Sequence, residues 1–212
     1  VPGALLSLVG YFLLNDIVRS RRITDTGKIL DLLDEGVSTT LRPDEDAGTK
    51  DGMDISLLRL NVKSGKMMWS GANNPLYLVR KKTNDTSGFN WKINGTLQNL
   101  DEAIAERKKI KIMQQESCML YEFTPDKQPI SYYDDMISFS NHEIEVQSND
   151  LLYLFSDGFA DQFGGPNGKK FKYKPFKQIL IANQHKPMAV QHDVLDEAIE
   201  KWRGTLEQID DI

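Results

Sequence analysis

Apolar positions change their period along this chain, and each change marks an element. Residues 4–14, ALLSLVGYFLL, are nearly all apolar, and Asn15-Asp16 with Arg19 to Arg22 closes the run. A membrane span needs about 20 such residues, and no basic segment of the signal-peptide kind precedes the run. Residues 3–19 are therefore expected to form a buried core helix. Residues 25–41 place Ile29, Leu32, Leu33 and Val37 at helical spacing, with Asp25 or Thr26 as the cap. Pro43 and the polar DEDAGTKDG that follows read as a loop.

The period then shortens to two. Residues 55–62 and 67–71 flank Lys63-Ser64-Gly65-Lys66, which reads as a hairpin turn. Asn73-Asn74-Pro75 predicts a turn before a third strand, Leu76 to Val79. Residues 81–117 are polar and lysine-rich, with weak strand signals around Trp91 and Ile93 and a helical or mobile stretch over 101–110. That region reads as a variable insertion. Strands resume at 119–123, 142–147 and 151–157, and helices follow over 175–184 and 187–203, the last with Pro187 in its first turn. Helices at both ends of a mostly antiparallel strand region predict one α+β domain, with helices on sheet faces.

Composition narrows the function classes. The 212 residues are 40% hydrophobic and 27% charged, with a net charge of −5 and a pI of about 5.3. A general basic field is lacking, so nucleic acid is not an expected partner. Cys118 is the single cysteine, which precludes an internal disulfide and fits a reducing, cytoplasmic setting. The Val1-Pro2-Gly3 start and the Asp210-Asp211-Ile212 end read as cuts from a longer protein.

Residues 152–165, LYLFSDGFADQFGG, hold the candidate chemistry. A strand is rigid and fixes the position of Asp157, and Gly158 lets the backbone turn sharply after it. Asp161 could return to the same cleft. Asp210-Asp211 follows the last helix. Carboxylates converging from strand ends suit a hard divalent cation, magnesium or manganese, which takes oxygen ligands and keeps several waters. Asp-Gly is also most often just a turn, and Asp210-Asp211 most often a solvated loop.

Several ordered words carry a family resemblance: VPGALLSLVG at 1–10, DGMDISLLRLN at 51–61, SGANNPLYLVR at 70–80, DKQPI at 126–130, SNDLLYLFSDGFADQFGG at 148–165 and QIDDI at 208–212. The chain resembles the SpoIIE-like branch of the metal-dependent PPM (type 2C) serine/threonine protein phosphatases. The resemblance implies a four-layer α-β-β-α sandwich of two antiparallel sheets flanked by helices. It implies a two-metal site of Mn2+ or Mg2+ at a sheet edge, with Asp157 and Asp210 as ligands. Asp161 looks like the acid of a weaker third metal site. Gly158 and Asn74 are possible supports of the cleft. The implied partner is a phosphorylated regulatory protein of the anti-sigma-factor-antagonist kind, met by the output domain of a larger bacterial sensor. The first two helices resemble the pair that carries regulatory input, and residues 3–41 could also make a homodimer contact.

The sequence departs from that family in definite places. A Gly-Asp word on an early strand and an Asp-x-x-Gly-His-Gly word would lie before Val1, and a final strand would follow Ile212. This chain is thus expected to carry about half of a metal shell, to bind metal weakly and to turn over slowly or not at all. Ser131 stands where glycine is usual, which implies a small loop change.

The other reactive residues read more plainly. His142, His185 and His192 lack metal-ligand spacing and are expected to be structural or superficial. Cys118 reads as a small core residue, and Asp51 and Asp54 as non-ligands. Lys169, Lys170, Lys172 and Lys174 read either as a solvated face or as a patch that steers a phosphoprotein toward the metals. Two rival functions stand beside the phosphatase: a non-catalytic module that binds a phosphoregulator, and a metal-dependent nuclease, which the acidic pI disfavours.

Overall fold

The structure is a computed structural model, and it describes residues 3–41, 52–82, 89–106, 109–115, 117–131 and 137–212. Val1, Pro2, the loop from Pro43 through Asp51 and parts of the expected insertion and of the 101–110 helix lie outside these residues.

In chain order the first elements are α1 (Gly3–Asn15), a π-helical turn (Asp16–Ser20), α2 (Thr26–Thr40), β1 (Gly52–Met53), β2 (Ile55–Asn61), β3 (Lys66–Ala72) and β4 (Leu76–Lys81). β5 (Trp91–Ile93), β6 (Thr96–Leu97), α3 (Leu100–Glu106), β7 (Ile110–Gln114), β8 (Cys118–Phe123) and β9 (Ile130–Ser131) follow. The last third holds β10 (His142–Glu145), β11 (Leu151–Leu154), α4 (Gly158–Asp161), β12 (Phe163–Gly164), β13 (Lys169–Lys170), α5 (Tyr173–Asn183) and α6 (Met188–Arg203). Helices and antiparallel pairings together make the fold α+β, as the pattern predicts. The chain divides into two compact units.

The first unit takes residues 1–76, 85–111 and 123–148. Its main sheet runs β2-β3-β10-β5-β6. The β2–β3 hairpin pairs from Ile55 with Ala72 to Asn61 with Lys66, and Gly65 donates its N–H to Asn61 at 2.9 Å to close the expected turn. β10 joins β3 on one side and β5 on the other, so the short strand at Trp91 lies inside the sheet. Trp91 is fully buried, which ties this part of the expected insertion into a core. Leu30, Leu33 and Val37 of α2 pack with Ile55, Leu57 and Ala72. Asp25 is the N-cap of α2 and accepts from the Lys28 N–H at 2.8 Å.

The expectation of a buried helix at residues 4–14 is corrected. Only Leu6 and Gly10 of α1 are buried, while Tyr11 is 61% and Phe12 62% exposed. The helix is apolar on every side, but among the described residues α2 and Met53 pack against part of it, and apolarity cannot choose a face without a polar stripe. Among the described residues no helix is long and apolar enough to cross a membrane.

The second unit takes residues 77–84, 112–122 and 149–212, with a sheet ordered β11-β4-β8-β7. Tyr77, Val79 and Leu120 of this sheet pack against Phe176, Leu180 and Ile181 of α5 and Ile199 of α6. The Arg80 guanidinium pairs with Asp150 through two hydrogen bonds of 2.9 and 2.6 Å, both side chains nearly buried. That pair fixes β4 to the turn that starts β11, because a bidentate geometry specifies both distance and plane. Pro187 is the N-cap of α6 and precedes its first turn.

Candidate active site

The acidic stretch lies wholly within the second unit. β11 ends at Leu154, three residues before Asp157, so Phe155-Ser156 leads from the sheet to Asp157, whose backbone is already helical. Asp157 takes the N-cap position of α4 and its carbonyl accepts from the Asp161 N–H at 2.9 Å. One short helical turn therefore carries both acids. Phe159 and Ala160 anchor that turn in the core, where Phe159 meets the Phe171 ring edge-on at 5.2 Å and Phe176 at 4.7 Å. Asp161 is paired with Lys170 at 2.7 Å.

The end of the chain returns to this turn. Ser156 donates its hydroxyl to the Asp211 carbonyl at 2.6 Å. Gly158 permits the approach: a Cβ there would stand 2.2 Å from the same carbonyl oxygen. Gln162 holds the next stretch. It is fully buried, donates from Nε2 to the Glu207 carbonyl at 2.9 Å, and accepts weakly from the Ile209 N–H at 3.4 Å. Its own carbonyl accepts from Trp202 Nε1 at 3.1 Å. The Trp202 carbonyl in turn accepts from the Gly165 N–H at 2.7 Å. Asp210 lies exposed, and its carboxylate accepts from the Asp211 N–H at 2.8 Å.

The structure thus brings the Ser156-Asp157-Gly158 turn and the Asp210-Asp211 backbone together, although Ser156 and Asp211 lie 55 residues apart in sequence. Spacing alone could not show this. The residues responsible, Ser156 and Gln162, were missed as site residues. A signal was present: Gln162 is the polar residue that closes an otherwise apolar or acidic run. Asn74 lies in the first unit, in the turn between β3 and β4, where its N–H donates to the Ala72 carbonyl at 2.7 Å.

In kind the donors fit a hard divalent cation, because Asp157, Asp161, Asp210 and Asp211 offer carboxylate oxygens only. In number they do not complete a shell. Among the described residues no group of three or more His, Cys, Asp or Glu side chains is gathered as a metal site. A cavity of 520 Å³ opens beside Ser156, lined by Phe155, Phe159, Leu180 and Leu195. Ser156, His192, Asp196, Glu200 and Arg203 also line it, so polar and charged side chains stand beside the apolar ones.

The remaining reactive residues are structural. His142 is buried between Trp69 and Trp91, and its Nδ1 accepts from Trp91 Nε1 at 3.1 Å. Burial, with Lys109 nearby, lowers its pKa to about 3, so the ring is neutral at physiological pH. His185 and His192 are exposed. Cys118 is buried, and burial pushes its thiol pKa up. Asp54 accepts from Asn73 Nδ2 at 2.8 Å and braces the turn.

Comparison with known proteins bears on the fold and on the last half of the chain. The structure is similar to the SiaA-PP2C domain of Pseudomonas aeruginosa, with a TM-score of 0.70 and 19% identity over 99% of this chain and 67% of that one. Residues 112–212 match the family model described as Stage II sporulation protein E (SpoIIE), a span that contains Asp157, Asp161 and Asp210. No curated protein matches the chain. The structural likeness shows a PP2C-like fold, and the SpoIIE family match spans just under half of the chain.

Proposed function

We propose that this domain hydrolyses phosphoserine or phosphothreonine on a regulatory partner protein, using two Mn2+ or Mg2+ ions, as the output domain of a bacterial signalling protein in the cytoplasm. The observation that carries the reading is the seating of the Asp210-Asp211 backbone on the Ser156-Asp157-Gly158 turn. Asp157 and Asp210 would hold the ions, and Asp161 a weaker third. Bound ions of this kind supply a water of lowered pKa and positive charge for the phosphoryl oxygens. The chain's own residues do the positioning. β11 and the Phe159 anchor fix Asp157, while Ser156 and Gln162 fix the backbone around Asp210. Lys170 holds the Asp161 carboxylate at 2.7 Å and offsets its charge. The partner is of the anti-sigma-factor-antagonist type, and an upstream sensor would control the reaction.

The test is release of nitrophenol from p-nitrophenyl phosphate with Mn2+, alongside calorimetric Mn2+ titration, on this chain and on one extended at both ends. Asp157→Asn is expected to lower Mn2+ affinity and to reduce turnover of the extended chain by about 100-fold or more, since Asp157 would be a ligand of an ion on which hydrolysis would depend. Manganese binding by the extended chain with no phosphate release, even from a phosphoserine protein, would replace the enzyme with a non-catalytic binding module.

A further inference from the structure

The hairpin that follows the acidic turn carries charge of the opposite sign. β12 and β13 pair Phe163 with Lys170 and Gly164 with Lys169. Four lysines, 169, 170, 172 and 174, fall within six residues of a chain whose net charge is −5. All four are exposed.

Lys172 is the unusual member. Its backbone has φ 75° and ψ 156°, a conformation that glycine adopts freely and that strains any residue with a Cβ. The surroundings enforce it from both sides. The Lys172 N–H donates to the Ala160 carbonyl at 2.7 Å, and the preceding Phe171 N–H donates to the Gln162 carbonyl at 3.0 Å. The Phe171 ring is buried edge-on between Phe159, at 5.2 Å, and Trp202, at 5.3 Å. Folding alone would be served better by glycine. The lysine side chain is exposed and fills no core, so packing does not account for a strained residue here. Local strain of this kind is characteristic of functional positions.

We infer that the 163–174 segment is a docking surface for an acidic, phosphorylated protein segment, with Lys172 as a specificity-determining residue. The inference rests on the phosphatase reading for why a phosphorylated segment should come to this turn. Lys170 links the surface to the candidate site through its 2.7 Å contact with Asp161. Phe163, 39% exposed and 5.9 Å from the Lys170 ammonium, and Tyr173, 38% exposed, add apolar edges between the charges. Lysines interleaved with aromatic rings suit a peptide that alternates acids with apolar side chains, and the charge steers it in from solution.

The experiment measures fluorescence anisotropy of a labelled 12-residue peptide, about half aspartate and glutamate, with one central phosphoserine. Its unphosphorylated twin, a 20-nucleotide RNA and anionic phosphatidylserine vesicles are the comparison ligands. Binding is read at about 50 and 200 mM salt. Lys172→Gly is expected to weaken phosphopeptide binding by about 5-fold or more and flatten its salt dependence, while Tm rises by a few degrees as the strain is released. A Lys169→Ala, Lys174→Ala double variant is expected to weaken binding in the same sense. A rise in Tm with unchanged phosphopeptide affinity would overturn the inference, as would no rise at all. Equal binding of the unphosphorylated peptide, the RNA or the vesicles would overturn it too. The two readings fail separately: intact phosphopeptide binding without nitrophenol release sinks the phosphatase alone, whereas nitrophenol release together with phosphopeptide binding that is indifferent to Lys172 sinks the docking surface alone.

Discussion

At the residue scale, Gly158 and Gln162 decide whether two distant parts of the sequence meet. Gly158 has an ordinary backbone role at the start of α4, and its constraint comes from space: the Asp211 carbonyl stands where a Cβ would go. Gly158→Ala must push that carbonyl away or tilt α4. The expected cost is about 1–3 kcal/mol in urea unfolding, with weaker Mn2+ binding in calorimetry. Gln162 answers to a different rule. Its buried amide supplies partners to the backbone of Glu207 and Ile209, so Gln162→Leu leaves a carbonyl unsatisfied. The expected loss is about 1–3 kcal/mol, together with faster proteolysis of the 204–212 segment. Unchanged cleavage of that segment would mean that the seating depends on Ser156 alone.

At the element scale, α2 is held by polar bonds as well as by its apolar face. Ser70 donates its hydroxyl to Thr26 Oγ1 at 2.9 Å, Thr26 donates to Asn141 Oδ1 at 2.9 Å, and Asn141 Nδ2 donates to Asp25 Oδ2 at 2.7 Å. The chain of bonds runs from β3 through the start of α2 to the residue before β10. Asp31 accepts from the Phe139 N–H and Asp34 from the Ser131 N–H, at 2.8 and 2.9 Å. Asp25 is both helix cap and end of the network. Asp25→Ala is therefore expected to cost about 1–2 kcal/mol, above the loss from an ordinary exposed cap, with the decrease read by urea unfolding. Asp25→Asn, which keeps an acceptor for Lys28, is expected to recover part of it. Much of this was legible in sequence: the Asp25 cap and the helical spacing of Leu33 and Val37 are local features. The network partner Asn141 was not, because it lies 116 residues from Asp25 and a hydrogen bond leaves no periodic trace.

At the scale of the whole molecule, acid stability has a definite sign. The His142 pKa falls from its ordinary value to about 3 on folding, so the unfolded chain binds the extra proton between these values. That contribution is present above about pH 6.5 and is lost as pH falls toward 3, by up to roughly 4 kcal/mol. His142→Gln keeps an acceptor for Trp91 and cannot titrate. Its stability curve is expected to be flatter than that of the parent between pH 6.5 and 3, read by urea midpoints across that range. Equal slopes would place the acid sensitivity in the carboxylates instead.

Sequence by itself determined what depends on near neighbours. The period of apolar residues placed α2, the β2–β3 hairpin, β11 and α6. Ordered words carry the resemblance to the PPM phosphatases, under which Asp157, Asp161 and Asp210 are candidate metal ligands. Tertiary structure alone decided which surfaces are covered. It left Tyr11 and Phe12 of an apolar helix in solvent, made His142 a neutral core ring, and set the Asp211 carbonyl on Gly158. It also put Lys172 in a glycine conformation, enforced by carbonyls of Ala160 and Gln162. The physical reason is the same in each case. Propensity and periodicity act over a few residues, whereas burial, close approach and strain are set by neighbours that the chain brings from far away.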